Sequence, residues 1–418
     1  MAFSLSFAFL LAAKVIGAAK EMVIAHAFGA GPVIDAYALA FALSQMPVTF
    51  TAMVANMVLI PLCVAARQGD GDAAAQGRRI MRSAMGLSVP LALLVYVGLA
   101  HLMPAMSAAP PELLAELRRQ ALPVALAIPP GCLAAVLAAR LMAGGNHMNS
   151  LLESLPSVAL VLGIWVFEGR IASSTLLGWS LCAGCCAYAL VLAVIDRPSL
   201  PPEGTARQSR RAPVIAILFG QAVFLFGGDV FDQAAAFHMG EGMAHLAYAN
   251  RLVLLLCALV GTAVSRAFLP VLAEVALRGG AGAMRLVYRW AAAFALCGLL
   301  AALVGSAHAE GIVRFIYERG AFLPADTIRV ASLLSAGFLI LPVYFPALFF
   351  AQALVLQGRA GAFLAANVGA TLVKIAFVML FLPAYGMFAI IWGGILRQLL
   401  VSSFMLAALV VTRRRITS

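Results

Sequence analysis

The chain has 418 residues, of which 64% are hydrophobic and only 11% charged, and its mean hydropathy is +1.01. Soluble domains are roughly 45–50% apolar, so a soluble enzyme or a disordered chain is excluded and a polytopic membrane protein is indicated. A net charge of +11 would suggest nucleic acid in a soluble chain, but most of the basic residues fall in the connectors between apolar runs and no nucleic-acid partner is expected.

The first apolar stretch, Ala2 to Ala13, lacks a basic leader and a polar mature region after it, so it reads as a retained first helix. That helix carries Lys14, Lys20 and Glu21. A cation at the bilayer centre costs roughly 2.5–3.5 kcal/mol on insertion scales and persists only where a cavity, partner or anion compensates it. Lys14 and Glu21 share nearly one helical stripe, with Lys20 turned away from it. Two readings stand: Lys20 and Glu21 pair locally near a helix end, or the three line a cavity.

Cutting the chain where polar, Gly or Pro clusters interrupt apolar runs of about 20 residues gives spans at 2–26, 35–65, 81–104, 120–143, 150–168, 172–195, 213–237, 243–272, 287–309, 329–356, 361–383 and 386–411. The expected fold is therefore all-α, with twelve transmembrane helices. With both termini cytoplasmic, seventeen arginines fall in inner connectors, from Arg67 and Arg78 to Arg413, Arg414 and Arg415. Six fall outside: Arg118, Arg119, Arg170, Arg314, Arg319 and Arg329. That asymmetry orients the chain. The polar, Pro-rich run Asp196 to Pro213 divides it into a six-helix half (1–195), a cytoplasmic linker (196–212) and a second six-helix half (213–418).

The halves echo each other. Gly29-Ala-Gly31 followed by Ala36-Tyr37-Ala38 recurs at constant offset as Gly240-Glu-Gly242 followed by Ala247-Tyr248-Ala249. An even number of helices separates the copies, which makes a parallel repeat of the kind that rocks in alternating access.

In the second half, Asp229 and Asp232 lie three residues apart on one helical face, after Gly227-Gly228. They suit a proton or sodium ion, or serve as counter-ions to Arg251 or Lys374. Arg251 stands early in the eighth helix, where it answers the Asp35-Ala36-Tyr37 region of the first half. A cation from each half suits a phosphate or pyrophosphate. Lys374 and Arg397, on the last two helices, either extend that lining or mark a second polar patch. Glu153 suits a helix N-terminus. His26, His238 and His245 show no metal-ligand spacing. Seven cysteines, all in or beside apolar segments, argue against a disulfide framework, and Cys182-Ala-Gly-Cys185 lacks the soluble context of a redox motif. No nucleotide loop or nucleophile set can be assembled, so no enzyme and no cofactor are expected beyond a coupling Na+ or H+.

Three segments resemble the MurJ/MviN-like lipid II flippases of the multidrug/oligosaccharidyl-lipid/polysaccharide exporter superfamily. They are Lys14-Val-Ile-Gly17-Ala-Ala-Lys20-Glu21 running on to Asp35-Ala36-Tyr37; Tyr248-Ala249-Asn250-Arg251-Leu252 with Leu269-Pro270; and Tyr317-Glu318-Arg319-Gly320-Ala321-Phe322 with Asp326-Thr327. The resemblance implies a transporter of the bacterial inner membrane that moves polyprenyl-pyrophosphate-linked sugars outward, beside polysaccharide or cell-wall synthesis proteins. In it, Lys14, Lys20 and Arg251 would grip the pyrophosphate, with Glu21, Asp35, Lys374 and Arg397 as further lining. It also implies Asp229 or Asp232 with Asn367 and Thr371 for a coupling cation. The chain departs from the family in three ways. Lysine stands where arginine is usual at 14 and 20, the second helix lacks a basic residue, and twelve helices are expected rather than fourteen. An exopolysaccharide or capsule repeat unit is thereby expected as readily as lipid II. A cation-coupled drug or metabolite antiporter and a non-transport scaffold of polysaccharide synthesis remain the alternatives.

Overall fold

A computed structural model describes residues 2–67, 71–106, 109–145, 148–167, 173–196, 227–239, 242–278, 280–356 and 360–417. Most of the expected linker, 197–212, and the first part of the seventh expected span, 213–226, lie outside them. Among the described residues the secondary structure is helical throughout. Nine of the described helices are long and apolar enough to cross a membrane, and a tenth span is formed if the bent pair Pro324–Phe338 and Leu341–Leu354, which meet at 44°, is taken together. These ten overlap ten of the twelve expected spans; the first and seventh are not among them.

The chain falls into two compact units. The first comprises Met1–Phe219, Phe237–Glu241 and Arg319–Phe322; the second comprises Gly220–Ala236, Gly242–Glu318 and Leu323–Ser418.

In the first unit, α1 (Ala2–Phe28) runs unbroken past its three charged residues. α2 (Pro32–Val54) starts with proline in its first turn, where the missing N–H has no helical partner to lose, and with Asp35 against the helix N-terminus. α2 passes through a π-helical turn, Ala55–Leu59, into α3 (Ile60–Arg67). α4 (Gly71–Val97) likewise continues through a π turn, Gly98–Leu102, into α5 (Met103–Met106). α6 (Pro111–Leu126) and α7 (Ile128–Ala143) meet at Ala127, next to the Pro129-Pro130 pair, where the backbone hydrogen-bond ladder has to break. α8 (Asn149–Leu152), α9 (Leu155–Phe167) and α10 (Ser173–Ile195) complete the unit.

Leu137 and Leu141 of α7 pack on Tyr188 and Leu192 of α10, and Leu59 and Cys63 on Val136 and Ala139. Meanwhile Trp165, Val194 and Leu94 are 79%, 76% and 66% exposed. Large apolar side chains turned outward suit a lipid solvent, in which close van der Waals packing rather than water exclusion holds the helices. At the end of α10, Arg140 Nε binds Asp196 Oδ2 at 3.1 Å and fixes the point where the expected linker begins.

The loop after α1 requires a left-handed glycine. Gly29 has φ +62°, and a Cβ there would meet the backbone carbonyl oxygen of Ala321, whose own N–H donates to His26 O at 2.8 Å. Gly29→Val is therefore expected to cost about 1–3 kcal/mol. The cost should appear as a lower melting temperature of the purified protein, and an unchanged value would refute this account.

In the second unit, α11 (227–238, of which 227–236 belong to this unit) precedes α12 (Met243–Arg278) and α13 (Gly280–Ala307). α14 (Ala309–Tyr317) occupies a stretch that the span pattern leaves as outer loop. Its Ala309, Val313 and Tyr317, four apart, are buried while Glu310 and Arg314 pair outside. α15 (Pro324–Phe338), α16 (Leu341–Leu356), α17 (Ala360–Tyr385) and α18 (Met387–Thr417) follow. Phe268, Phe294 and Phe349 form an edge-to-face cluster at its core, with centroids 4.6 and 5.0 Å apart. The seven cysteines are free thiols.

Candidate functional site

The first unit contains a cavity of about 460 Å³. Its walls come from α1 (Lys20), α2 and its π turn (Phe41, Gln45, Val48, Thr49, Ala52, Asn56), α7 (Gly131, Ala135, Ala138, Met142), α8 and α9 (Asn149, Ser150, Glu153, Ser157, Leu160) and α10 (Leu181, Cys185, Tyr188). The α2 residues follow helical spacing, so a single face of that helix supplies them. Asn56 falls inside the π turn, a local widening of the helix that often accompanies function.

Lys20 is the cation of this cavity. Its Nζ binds Glu21 at 2.7 Å, both side chains are 11% exposed, and it lies 5.6 Å from the Phe41 ring centroid. Local pairing and cavity lining thus hold together. Lys14 is half-buried and lies outside the cavity wall, while Asp35 is buried in the first turn of α2 and is no part of that wall. Across the cavity the Tyr188 hydroxyl donates to Asn149 Oδ1 and keeps both side chains in place. The neutral polar residues Gln45, Asn56, Asn149, Ser150, Ser157 and Tyr188 went unnoticed in the sequence. Their only signal there was amide and hydroxyl groups recurring on faces of otherwise apolar helices.

The second unit places Arg251 5.7 Å from the Tyr248 ring, which stacks at 4.9 Å on Tyr317. The segments around Arg251 and Tyr317, each singled out in the sequence, therefore meet. Nearby in sequence, His245 Nε2 lies 2.9 Å from Asp326 Oδ1 while Asp326 Oδ2 accepts the Leu323 N–H at 3.0 Å.

A second polar site joins α11, α17 and α18. On α17, Asn367, Thr371 and Lys374 are spaced by four and three residues and so share one face. Lys374, 2% exposed, binds Asp232 Oδ2 at 2.6 Å and the Gly228 carbonyl at 3.3 Å. Arg397 donates to Thr371 Oγ1 at 3.1 Å and Asn367 Oδ1 at 3.3 Å. Gly228 permits this approach of α11, for a Cβ there would press on the Thr371 methyl at 3.2 Å. Asp232, Asn367 and Thr371, expected around a coupling cation, are thus brought together, but the chain's own ammonium and guanidinium already engage one oxygen of each. Asp229 is exposed and makes none of these bonds. The set as it stands does not fit a free metal cation. Among the described residues no group of three or more His, Cys, Asp or Glu could hold a metal ion.

The lipid II flippase MurJ family model matches residues 24–416. The chain belongs to the lipid II flippase MurJ family. Members of that family are flippases rather than catalysts. Among solved structures, the chain is similar to a lipid II flippase MurJ in an inward closed conformation. The TM-score is 0.78 at 17% identity, over 97% of this chain and 87% of that one. It is also similar to a multidrug resistance MATE family transporter in an inward-facing conformation (TM-score 0.68, 13% identity, 97% and 94% covered). A third is a MOP superfamily transporter from Pyrococcus furiosus (TM-score 0.60, 12% identity, 100% and 95% covered). At such identities these likenesses carry the fold alone. No curated protein matches the sequence closely enough to serve as a relative.

Proposed function

We propose that this chain is a flippase of the bacterial inner membrane that carries a polyprenyl-pyrophosphate-linked oligosaccharide outward by alternating access. Twelve membrane-spanning helices, two six-helix halves around the 196–212 linker and cytoplasmic termini belong to this reading. The observation that carries it is the cavity of the first unit, with Lys20 at its wall in a chain of the lipid II flippase MurJ family. An ammonium meets a pyrophosphate as a point charge, and amide and hydroxyl side chains around it can exchange hydrogen bonds with sugar hydroxyls. The family resemblance also assigns phosphate-gripping roles to Lys14 and to Arg251. Lys20 and Arg251 each rest on an aromatic ring.

The glycan is either lipid II or an exopolysaccharide or capsule repeat unit, and polysaccharide or cell-wall synthesis proteins are the natural neighbours. Lys374 and Arg397, first considered as cavity lining, are better assigned to holding α11, α17 and α18 together. Their engagement of Asp232, Asn367 and Thr371 also weighs against the cation-coupled antiporter.

Purified protein in vesicles with a fluorescent polyprenyl-pyrophosphate glycan tests the proposal. Lys14→Ala, Lys20→Ala and Arg251→Ala are each expected to slow flipping about tenfold or more, as the loss of one charged hydrogen bond implies. Wild-type rates in all three would overturn it.

A further inference from the structure

We infer that Lys374 is a resident cation. Its ammonium fills, from within the chain, the position in the second unit that a free monovalent metal ion would need. The oxygens around that position are Asp232 Oδ2 at 2.6 Å and the Gly228 carbonyl at 3.3 Å, a hard donor set of the kind that suits group-one and group-two cations. An ammonium satisfies it equally well, because it is a compact point charge with three rotatable donors. The neighbouring oxygens, Thr371 Oγ1 and Asn367 Oδ1, are taken by Arg397.

Position reinforces this. Lys374 is 2% exposed, so its charge has no route to water and requires a fixed anion. Asp232 supplies that anion, and its other oxygen, Oδ1, is buried without a hydrogen-bond partner. That orphan oxygen is acceptor capacity the ammonium leaves unused, because a point donor on a single stem reaches only one side of the carboxylate. A tethered cation cannot exchange with either compartment. Lys374 therefore decides cation specificity by exclusion: neither a sodium nor a potassium gradient can act through this cluster.

The test measures thermal unfolding of the purified full chain in sodium, potassium or choline chloride at equal ionic strength. The wild type is expected to melt at one temperature in all three. Lys374→Ala empties the position and is expected to acquire a metal-dependent rise of about 2–4 °C over choline. Lys374→Ala combined with Asp232→Asn lacks the carboxylate and is expected to lose that rise. A sodium- or potassium-dependent shift in the wild type overturns the inference, and so does a folded Lys374→Ala protein that ignores both ions. Should Lys374→Ala fail to fold, the wild-type comparison decides.

A second arm, which rests on the flippase reading, compares wild-type flipping with sodium or choline on both sides of the vesicle. Equal rates support the inference and a sodium requirement overturns it. The melting arm is indifferent to what the chain carries, so its failure is separable from failure of that reading.

Discussion

Asp232→Ala is expected to destabilise the second unit by about 3–5 kcal/mol, the usual consequence of leaving one member of a buried ion pair unpartnered. The cause is Lys374. With 3% of its side chain exposed and its Nζ 2.6 Å from the Asp232 carboxylate, it has no alternative anion within the bonds it makes. The Gly228 carbonyl at 3.3 Å is a dipole, not a charge. Removing both charges is a different experiment. Asp232→Asn with Lys374→Met replaces the pair with neutral groups of similar size and is expected to recover most of the loss, because no desolvated charge remains. Unfolding of the wild type, Asp232→Asn, Lys374→Met and the double variant in denaturant, read as a double-mutant cycle, measures the coupling directly. If Asp232→Ala melts like the wild type, the ion pair contributes nothing and the cluster has been misread.

The second large effect concerns Lys20, where stability and transport are predicted to separate. Lys20→Ala removes the ammonium that sits 2.7 Å from the largely buried Glu21 carboxylate, so the single substitution is expected to lose both stability and flipping. Adding Glu21→Gln removes the negative charge that Lys20 had balanced and is expected to recover part of the lost melting temperature. It is not expected to restore flipping, because the cavity then has no cation for a phosphate. Lys20→Arg keeps the charge and adds a second donor arm, so it is expected to flip at least as well as the wild type. Recovery of flipping by the neutral double variant would show that Lys20 is structural only.

The sequence disclosed these two sites unequally, for a physical reason. Charged residues within apolar runs stand out because their burial is costly, and so Lys14, Lys20, Asp232, Lys374 and Arg397 were all singled out. Which of them touch was not legible. The Arg397 contacts to Asn367 and Thr371 depend on how α17 and α18 pack, and the spacing along either helix says nothing of that. The amides and hydroxyls of the cavity were missed because an Asn or Ser in a helix costs little and leaves no mark in a hydropathy profile. Span positions followed from apolar run length. α14 did not, since nine residues carrying Glu310 and Arg314 are too short to span a membrane and fall into a connector until Val313 and Tyr317 are seen to be buried on one side.

The π turn at Ala55–Leu59 has a consequence for anyone counting residues along this helix. One extra residue in a turn shifts everything after it by about 100° relative to regular 3.6-residue spacing. Up to Asn56 the counting identifies the wet side of α2. Beyond it, Leu59 and Cys63 lie against Val136 and Ala139. A helical wheel drawn through 41–67 as one object therefore assigns wet and dry sides wrongly in its second part. Two wheels, joined at Asn56, describe it. A one-residue deletion within 55–59 would be no small trim, because it would swing the packed side of α3 off its neighbour while leaving the composition almost unchanged.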